Sequence, residues 1–125
     1  MSHTILIADD SLFIREALCN LFEREADFRV CGEAENGKEV IAKAQQLHPD
    51  VILLDFSMPV MNGFDAARIL KRIMPRVPLV MYSGFADRLA EQQARLIGIS
   101  EVVSKSERAS VLIDKVRNLL YSIAA

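Results

Sequence analysis

Five polar residues, Asp9, Asp10, Asp55, Ser83 and Lys105, stand where hydrophobic runs of this chain stop. Thr4-Ile-Leu-Ile-Ala8 runs into Asp9-Asp10, Val51-Ile-Leu-Leu54 into Asp55, and Pro78-Leu-Val-Met-Tyr82 into Ser83, while Glu101-Val-Val103 is soon followed by Lys105. Asp55 is the most demanding of them. Four consecutive aliphatic residues describe a strand buried on both faces, and a carboxylate at its end is costly to bury unless it is paired or holds a metal. Three carboxylates gathered in one pocket cannot all stay ionised without a raised pKa or a cation. The simplest compensation is a hard divalent ion with oxygen ligands, and few protein ligands plus waters suit Mg²⁺. Lys105 adds an ammonium and Ser83 a hydroxyl donor. Metal, ammonium and hydroxyl around one carboxylate suit phosphoryl transfer, whose transition state spreads negative charge over the equatorial oxygens. Asp55 is then the natural nucleophile for an acyl phosphate. Singly, each residue also has a purely structural reading. Asp10 or Ser11 can cap a helix, an Asp after a strand can start a turn, Ser83-Gly84 is turn chemistry, and Lys105 can be a surface lysine. The chemistry depends on convergence.

Convergence depends on the elements. Short apolar runs alternate with helical patterns five times. Thr4–Ala8 is strand-like, and Ile14, Leu18, Leu21 and Phe22 share one helical face. Phe28–Ala34 alternates as an edge strand does. Val40, Ile41, Ala44 and Leu47 mark a second helix, which Pro49 closes. Val51–Asp55 is followed by a loop with Pro59 and Gly63, with Asn62 placed to cap a third helix bearing Ala67, Leu70 and Met74. After Pro78–Tyr82 comes a weakly amphipathic helix from Asp87 to Ile97, stopped by Gly98. Glu101–Val103 is a short fifth strand, and Leu112, Val116, Leu119 and Ile123 mark a last helix. Five βα units in tandem imply a parallel sheet with helices on both faces. The expected fold is a flavodoxin-like (βα)5 three-layer sandwich with strand order 2-1-3-4-5. That order sets the first strand beside the third and puts ligands outside their carboxyl ends, where the polar residues are.

The rest of the composition is ordinary. At 125 residues the chain predicts a single domain, 1–125, able to bury a core without staples. A net charge of −2 offers no electrostatic footprint for direct nucleic acid binding. No apolar run approaches the roughly 20 residues that span a bilayer, and because Met1-Ser2-His3 leads straight into the first strand no signal peptide is expected. Cys19 and Cys31 lack a metal-ligand spacing, so reduced thiols in a cytoplasmic protein are expected. His3 and His48 are read as incidental.

Taken together, Asp9-Asp10, Asp55 with Pro59 and Gly63 after it, Ser83-Gly84 and Lys105 resemble the receiver domain of two-component response regulators, over essentially the whole chain. The stretches DDSLFIREAL and VCGEAENGKEVIAKAQQLHPDVILLDFSMPVMNG most resemble the branch usually fused to a C-terminal helix-turn-helix DNA-binding domain. The resemblance implies that Asp55 accepts a phosphoryl group from a sensor histidine kinase or phosphotransfer protein. It implies that Asp10 and Asp55 ligate Mg²⁺ directly, Asp9 mainly through water, with the backbone carbonyl of Ser57 completing the protein ligands. Ser83 would hydrogen-bond the phosphoryl oxygens and Lys105 would pair with another. The switched surface would be the fourth helix, fifth strand and fifth helix, contacting a downstream output domain or protein or a second copy in a homodimer. Beyond its own phosphorylation and dephosphorylation the domain would be no enzyme. It would act either alone through protein contacts or as part of a longer transcription factor.

Three positions depart from the family pattern. Val102 stands where an aromatic residue is usual, so coupling through an inward-turning ring cannot operate as such. Ser106 replaces the usual proline after Lys105, and a trans bond is expected there because a non-proline cis peptide costs roughly 2.5–4 kcal/mol. Phe85, two residues beyond Ser83, is expected to limit access of hydrolytic water and to stand in partly for the missing ring. Two other readings compete. A pseudo-receiver, binding partners without phosphorylation, is favoured by Val102 and Ser106 and opposed by the intact acidic triad. A phosphatase of the haloacid dehalogenase type would place Asp-x-Asp after the first strand, whereas here Asp9 and Asp10 are adjacent and the central Asp follows the third. Nucleotide binding of the Rossmann kind lacks its glycine-rich loop. Finally, Ile113 and Leu120 widen the apolar surface of the last helix, through either deeper burial or an interaction patch.

Overall fold

A computed structural model describes residues 2–84 and 88–124. Five strands, β1 (His3–Ala8), β2 (Phe28–Ala34), β3 (Val51–Leu54), β4 (Leu79–Ser83) and β5 (Glu101–Ser104), alternate with five helices. These are α1 (Leu12–Glu23), α2 (Gly37–Leu47), α3 (Gly63–Ile73), α4 (Arg88–Ile97) and α5 (Ala109–Ala124). The strands form one parallel sheet in the order β2-β1-β3-β4-β5, as expected.

Period-two alternation divides the core between the two faces. Ile5, Ile7, Val51, Leu53, Val80 and Val103 point toward α1 and α5, where Leu18, Phe22, Leu112 and Val116 meet them. Leu6, Ala8, Ile52, Leu54, Leu79 and Met81 point the other way, against α2, α3 and α4. β3 is buried throughout, and each fully buried aliphatic side chain contributes about 1.5–3 kcal/mol of transfer free energy. The strand that leads into Asp55 is therefore held by its neighbours on both edges and by the core on both faces.

Local signals explain the helix ends. Ser11, not Asp10, caps α1, its Oγ accepting from the Ile14 amide at 3.3 Å. Asn36 and Asn62 cap α2 and α3, accepting from Glu39 and Asp65 at 2.8 and 2.9 Å. Gly98 stops α4 in the left-handed region, at φ 107°. Between Ile5 and Leu6 the register of β1 against β2 slips by one residue at Cys31, whose thiol donates to the Ile5 carbonyl. The bulge carries β2 on to Ala34, whose carbonyl takes the Asp9 amide at 3.0 Å.

Several sequence expectations are corrected. Ile123, in the last turn of α5, is 58% exposed rather than core. Leu47, at the end of α2, is exposed as well. Ile113 and Leu120 are buried, so the wide apolar surface of α5 reflects deeper burial. His3 is not incidental: its ring meets Tyr121 edge-on at 5.6 Å and approaches Phe28 at 6.4 Å. His48 closes α2 with φ 49°. Both cysteines are free thiols. No cis peptide bond occurs among the described residues, Lys105–Ser106 included. Phe85 and Asp87 lie outside the described residues, and with them the role expected of Phe85 and the expected first residue of α4. Among the described residues no helix is long and apolar enough to cross a membrane.

Candidate phosphorylation site

The carboxyl ends of β1, β3, β4 and β5 bring the predicted residues to one rim of the sheet. Asp9 follows β1, Asp55 follows β3, Ser83 ends β4 and Lys105 follows β5. Asp9, Asp55 and Ser83 are 1%, 5% and 4% exposed, whereas Asp10 is exposed. One carboxylate oxygen from each of Asp9, Asp10 and Asp55 lies within 4.8 Å of the others. The Lys105 ammonium sits between two of these acids, 2.9 Å from Asp9 Oδ2 and 3.1 Å from Asp55 Oδ1.

Every polar atom of Asp9 is accounted for. Its amide donates to the Ala34 carbonyl at 3.0 Å. Its Oδ1 accepts from the Ser11 amide at 2.9 Å and its Oδ2 from Lys105. Its carbonyl accepts from Arg15 Nη1 at 2.8 Å. The Asp55 amide donates to the Ala8 carbonyl at 2.9 Å, fixing the backbone just before the carboxylate.

Burial, followed by the negative charge of Asp9, raises the Asp55 pKa above the usual aspartate value, against the opposing pull of Lys105. Burial alone would lower the Lys105 pKa, but the hydrogen bonds and charges of Asp9 and Asp55 outweigh it, so the ammonium is held more firmly than usual. Tyr82, one residue before Ser83, places its ring 5.9 Å from the Lys105 Nζ. The Ser83 carbonyl accepts from the Lys105 amide at 2.8 Å, which ties the hydroxyl-bearing strand end to the lysine.

The loop after Asp55 is held under strain. The Met61 amide bonds back to the Pro59 carbonyl at 2.7 Å across Val60, a β-branched residue at φ 68°. Such a conformation is unfavourable for valine and persists only where its surroundings impose it. Here the Met61 carbonyl accepts from the Gly37 amide at 2.9 Å, and the Gly63 amide donates to the Phe56 carbonyl at 2.8 Å. At Gly63 a Cβ would stand 2.2 Å from the Asp55 carbonyl oxygen, so the helix can start this close to the acid only without a side chain. Ser57 is exposed in this loop, two residues beyond Asp55. Val102 on β5 is half-buried against the core beside Met81, so no ring stands at that position.

Two site residues escaped the sequence reading, Arg15 and Tyr82. Arg15 had one available signal, since a cation in the fourth position of a helix opposes the macrodipole and implies a local partner. Tyr82 was read only as part of an apolar run.

An all-oxygen donor set with two nearly buried acids and one exposed acid fits a hard divalent cation. Its position at the switch point between β1 and β3 is where ligands bind in sheets of this order. Residues 5–117 match the response regulator receiver domain. The chain belongs to that family. Receiver domains of response regulators are modules of phosphorylation-based signalling that interact with histidine kinases or phosphotransfer proteins and with output domains.

Among curated relatives, this receiver domain is 36% identical over 123 residues to a protein-glutamate methylesterase/protein-glutamine glutaminase of Methanosarcina acetivorans, covering 91% of this chain and 35% of that protein. It is 32% identical over 117 residues to the response regulator protein VraR of Staphylococcus aureus, covering 94% and 56%. The chain thus spans about a third to a half of these relatives' length. Among solved structures, the response regulator domain of Thermotoga maritima CheB superposes with a TM-score of 0.91 at 26% identity, covering 97% of this chain and 98% of that one. CheY from a CheX-CheY-BeF3-Mg+2 complex of Borrelia burgdorferi shares the fold, with a TM-score of 0.89 at 22% identity over 94% of this chain and 88% of that one.

Proposed function

We propose that Asp55 is the phosphoacceptor and that this receiver domain is switched by its phosphorylation with Mg²⁺ as cofactor. The observation that carries the reading is the Lys105 ammonium lodged between two nearly buried carboxylates, 2.9 Å from Asp9 and 3.1 Å from Asp55. An Asp55 carboxylate oxygen attacks the phosphorus of a phosphohistidine on a sensor kinase or phosphotransfer protein. A P–O bond forms, the P–N bond breaks, and its electron pair returns to the imidazole. Asp10 and Asp55 would ligate Mg²⁺ directly, Asp9 through water, and the Ser57 carbonyl would complete the protein ligands. When bound, the cation neutralises charge on the transferring phosphoryl oxygens.

The chain's own residues do the rest. Lys105 holds one phosphoryl oxygen and the Ser83 hydroxyl donates to another, drawing the end of β4 toward the acid. Because Lys105 already bonds the Ser83 backbone at 2.8 Å, movement of one is felt by the other. The α4-β5-α5 surface, where Leu96 is exposed, would read the change for an output domain, a partner protein or a second copy. Exposed Leu12 and Phe13, at the start of α1 beside Asp10, offer apolar contact to the phosphodonor.

The test is incubation with Mg²⁺ and acetyl phosphate followed by intact-mass measurement. Wild type should gain one phosphoryl group and Asp55→Asn none. Absence of an adduct on wild type, or an equal adduct on Asp55→Asn, overturns the assignment.

A further inference from the structure

We infer that Arg15 is a positioning residue that aims the exposed Asp10 carboxylate at Mg²⁺; this rests on the metal ligands proposed above. The carbonyl of Asp9 belongs to the peptide that joins Asp9 to Asp10, so whatever fixes that carbonyl fixes the plane from which Asp10 projects. Asp9 itself is immobilised through its amide and both carboxylate oxygens. Asp10 is exposed, and among the described residues its carboxylate has no such anchors. Among the described residues the anchor at the joining peptide is Arg15, whose Nη1 donates to the Asp9 carbonyl at 2.8 Å.

Arg15 is itself held. Its side chain is only 12% exposed, and its Nε donates to Glu33 Oε1 at 3.3 Å. Glu33 lies on β2 one residue before Ala34, the residue whose carbonyl takes the Asp9 amide. The guanidinium therefore braces the β1–α1 turn against the end of β2, with a planar fork that reaches both partners at once. A lysine could satisfy one of these partners but not the same pair in the same geometry. Surface solubility does not explain a guanidinium this enclosed.

The charge of Arg15 makes the inference sharp. A cation beside a metal site repels the metal, so removing it should on electrostatic grounds tighten Mg²⁺ binding. Loss of positioning acts the other way, because groups that orient metal ligands are typically worth 10- to 100-fold in affinity when removed. The sign of the effect distinguishes the two roles.

The experiment is calorimetric titration of the metal-free protein with Mg²⁺, for wild type, Arg15→Met, Arg15→Lys and Asp10→Asn, with phosphorylation by acetyl phosphate measured at sub-saturating and saturating Mg²⁺. Arg15→Met keeps the apolar stem and removes both donors. It should bind Mg²⁺ about tenfold more weakly, with its phosphorylation depressed most where Mg²⁺ is sub-saturating and rising as the metal approaches saturation. Arg15→Lys, retaining one donor for the Asp9 carbonyl, should recover part of the affinity and keeps the test open if Arg15→Met folds poorly. Unchanged or tighter binding in Arg15→Met, with wild type binding normally and Asp10→Asn weakened, overturns the role of Arg15 and leaves the metal ligands standing. If wild type shows no Mg²⁺ binding, or Asp10→Asn binds as wild type does, the ligand assignment itself fails and the inference falls with it.

Discussion

At the scale of single residues, the site is a balance between carboxylates that repel and cations that hold them. Lys105 and Arg15 are both positive and both touch Asp9, yet they do different things to it. Lys105 neutralises the carboxylates of Asp9 and Asp55 directly, whereas Arg15 binds a backbone carbonyl and leaves the acids available. The Lys105→Met variant should therefore differ from Arg15→Met in sign. With the ammonium gone, two nearly buried acids face each other without a counter-ion, and the metal-free protein should lose about 1–3 kcal/mol of stability. The partial exposure of Lys105 keeps this below the cost of breaking a fully buried pair. Adding Mg²⁺ should restore much of the loss, and the variant should bind Mg²⁺ more tightly than wild type while phosphorylating slowly. Chemical denaturation with and without Mg²⁺ measures both effects. A deficit that Mg²⁺ does not reduce would mean that Lys105 supports packing rather than charge.

At the scale of elements, the site depends on how closely α3 and its loop approach the end of β3. Gly63 opens α3 with its amide on the Phe56 carbonyl and its Cα against the Asp55 backbone. In an ordinary helix Gly→Ala gains about 0.5–1 kcal/mol from reduced chain entropy. Here the added Cβ would meet the Asp55 carbonyl at 2.2 Å, a clash with backbone that no rotamer change relieves. Gly63→Ala should instead lose about 1–3 kcal/mol, and because the displaced atom belongs to Asp55, acetyl phosphate labelling should fall as well. A stabilised, fully labelled Gly63→Ala protein would show that the loop can retreat without moving the acid. The strained Val60 turn beside it suggests that it cannot, since Met61 is already tied to the start of α2.

At the scale of the whole molecule, the fold was legible because buried parallel strands leave continuous apolar runs, and each run here ends at the same rim. Asp9, Asp10, Asp55, Ser83 and Lys105 were legible for the same reason. What could not be read were contacts set by where one surface stops. The helical period counts Leu47 and Ile123 as core although each stands at the end of its helix and keeps much of its side chain exposed. Arg15 bonds a carbonyl, which every residue has, and its side-chain partner Glu33 stands on another element, so only its place in the first turn of α1 marked it. The junction that anchors α5 was equally hidden. Arg117 donates to Asp27 Oδ2 at 2.8 Å and Oδ1 at 3.0 Å, and to Glu25 at 2.7 Å, joining α5 to the turn between α1 and β2. The Asp27 carbonyl also receives the His3 amide at 2.8 Å, so this turn holds the start of β1 as well. The hydrogen bonds from Arg117 keep the Asp27 pKa below its ordinary 3.8. A depressed carboxylate pKa in the folded state contributes stability that is complete above the unfolded value and is lost as pH falls through the folded one. Asp27→Asn should accordingly melt at lower temperature than wild type at neutral pH. The gap should begin to close below about pH 5 and vanish in strong acid, where both chains carry a neutral group at this position. Melting curves from neutral to acidic pH decide the matter: a gap that stays constant across the range would assign the anchoring of α5 to the shape of the junction rather than to its charge.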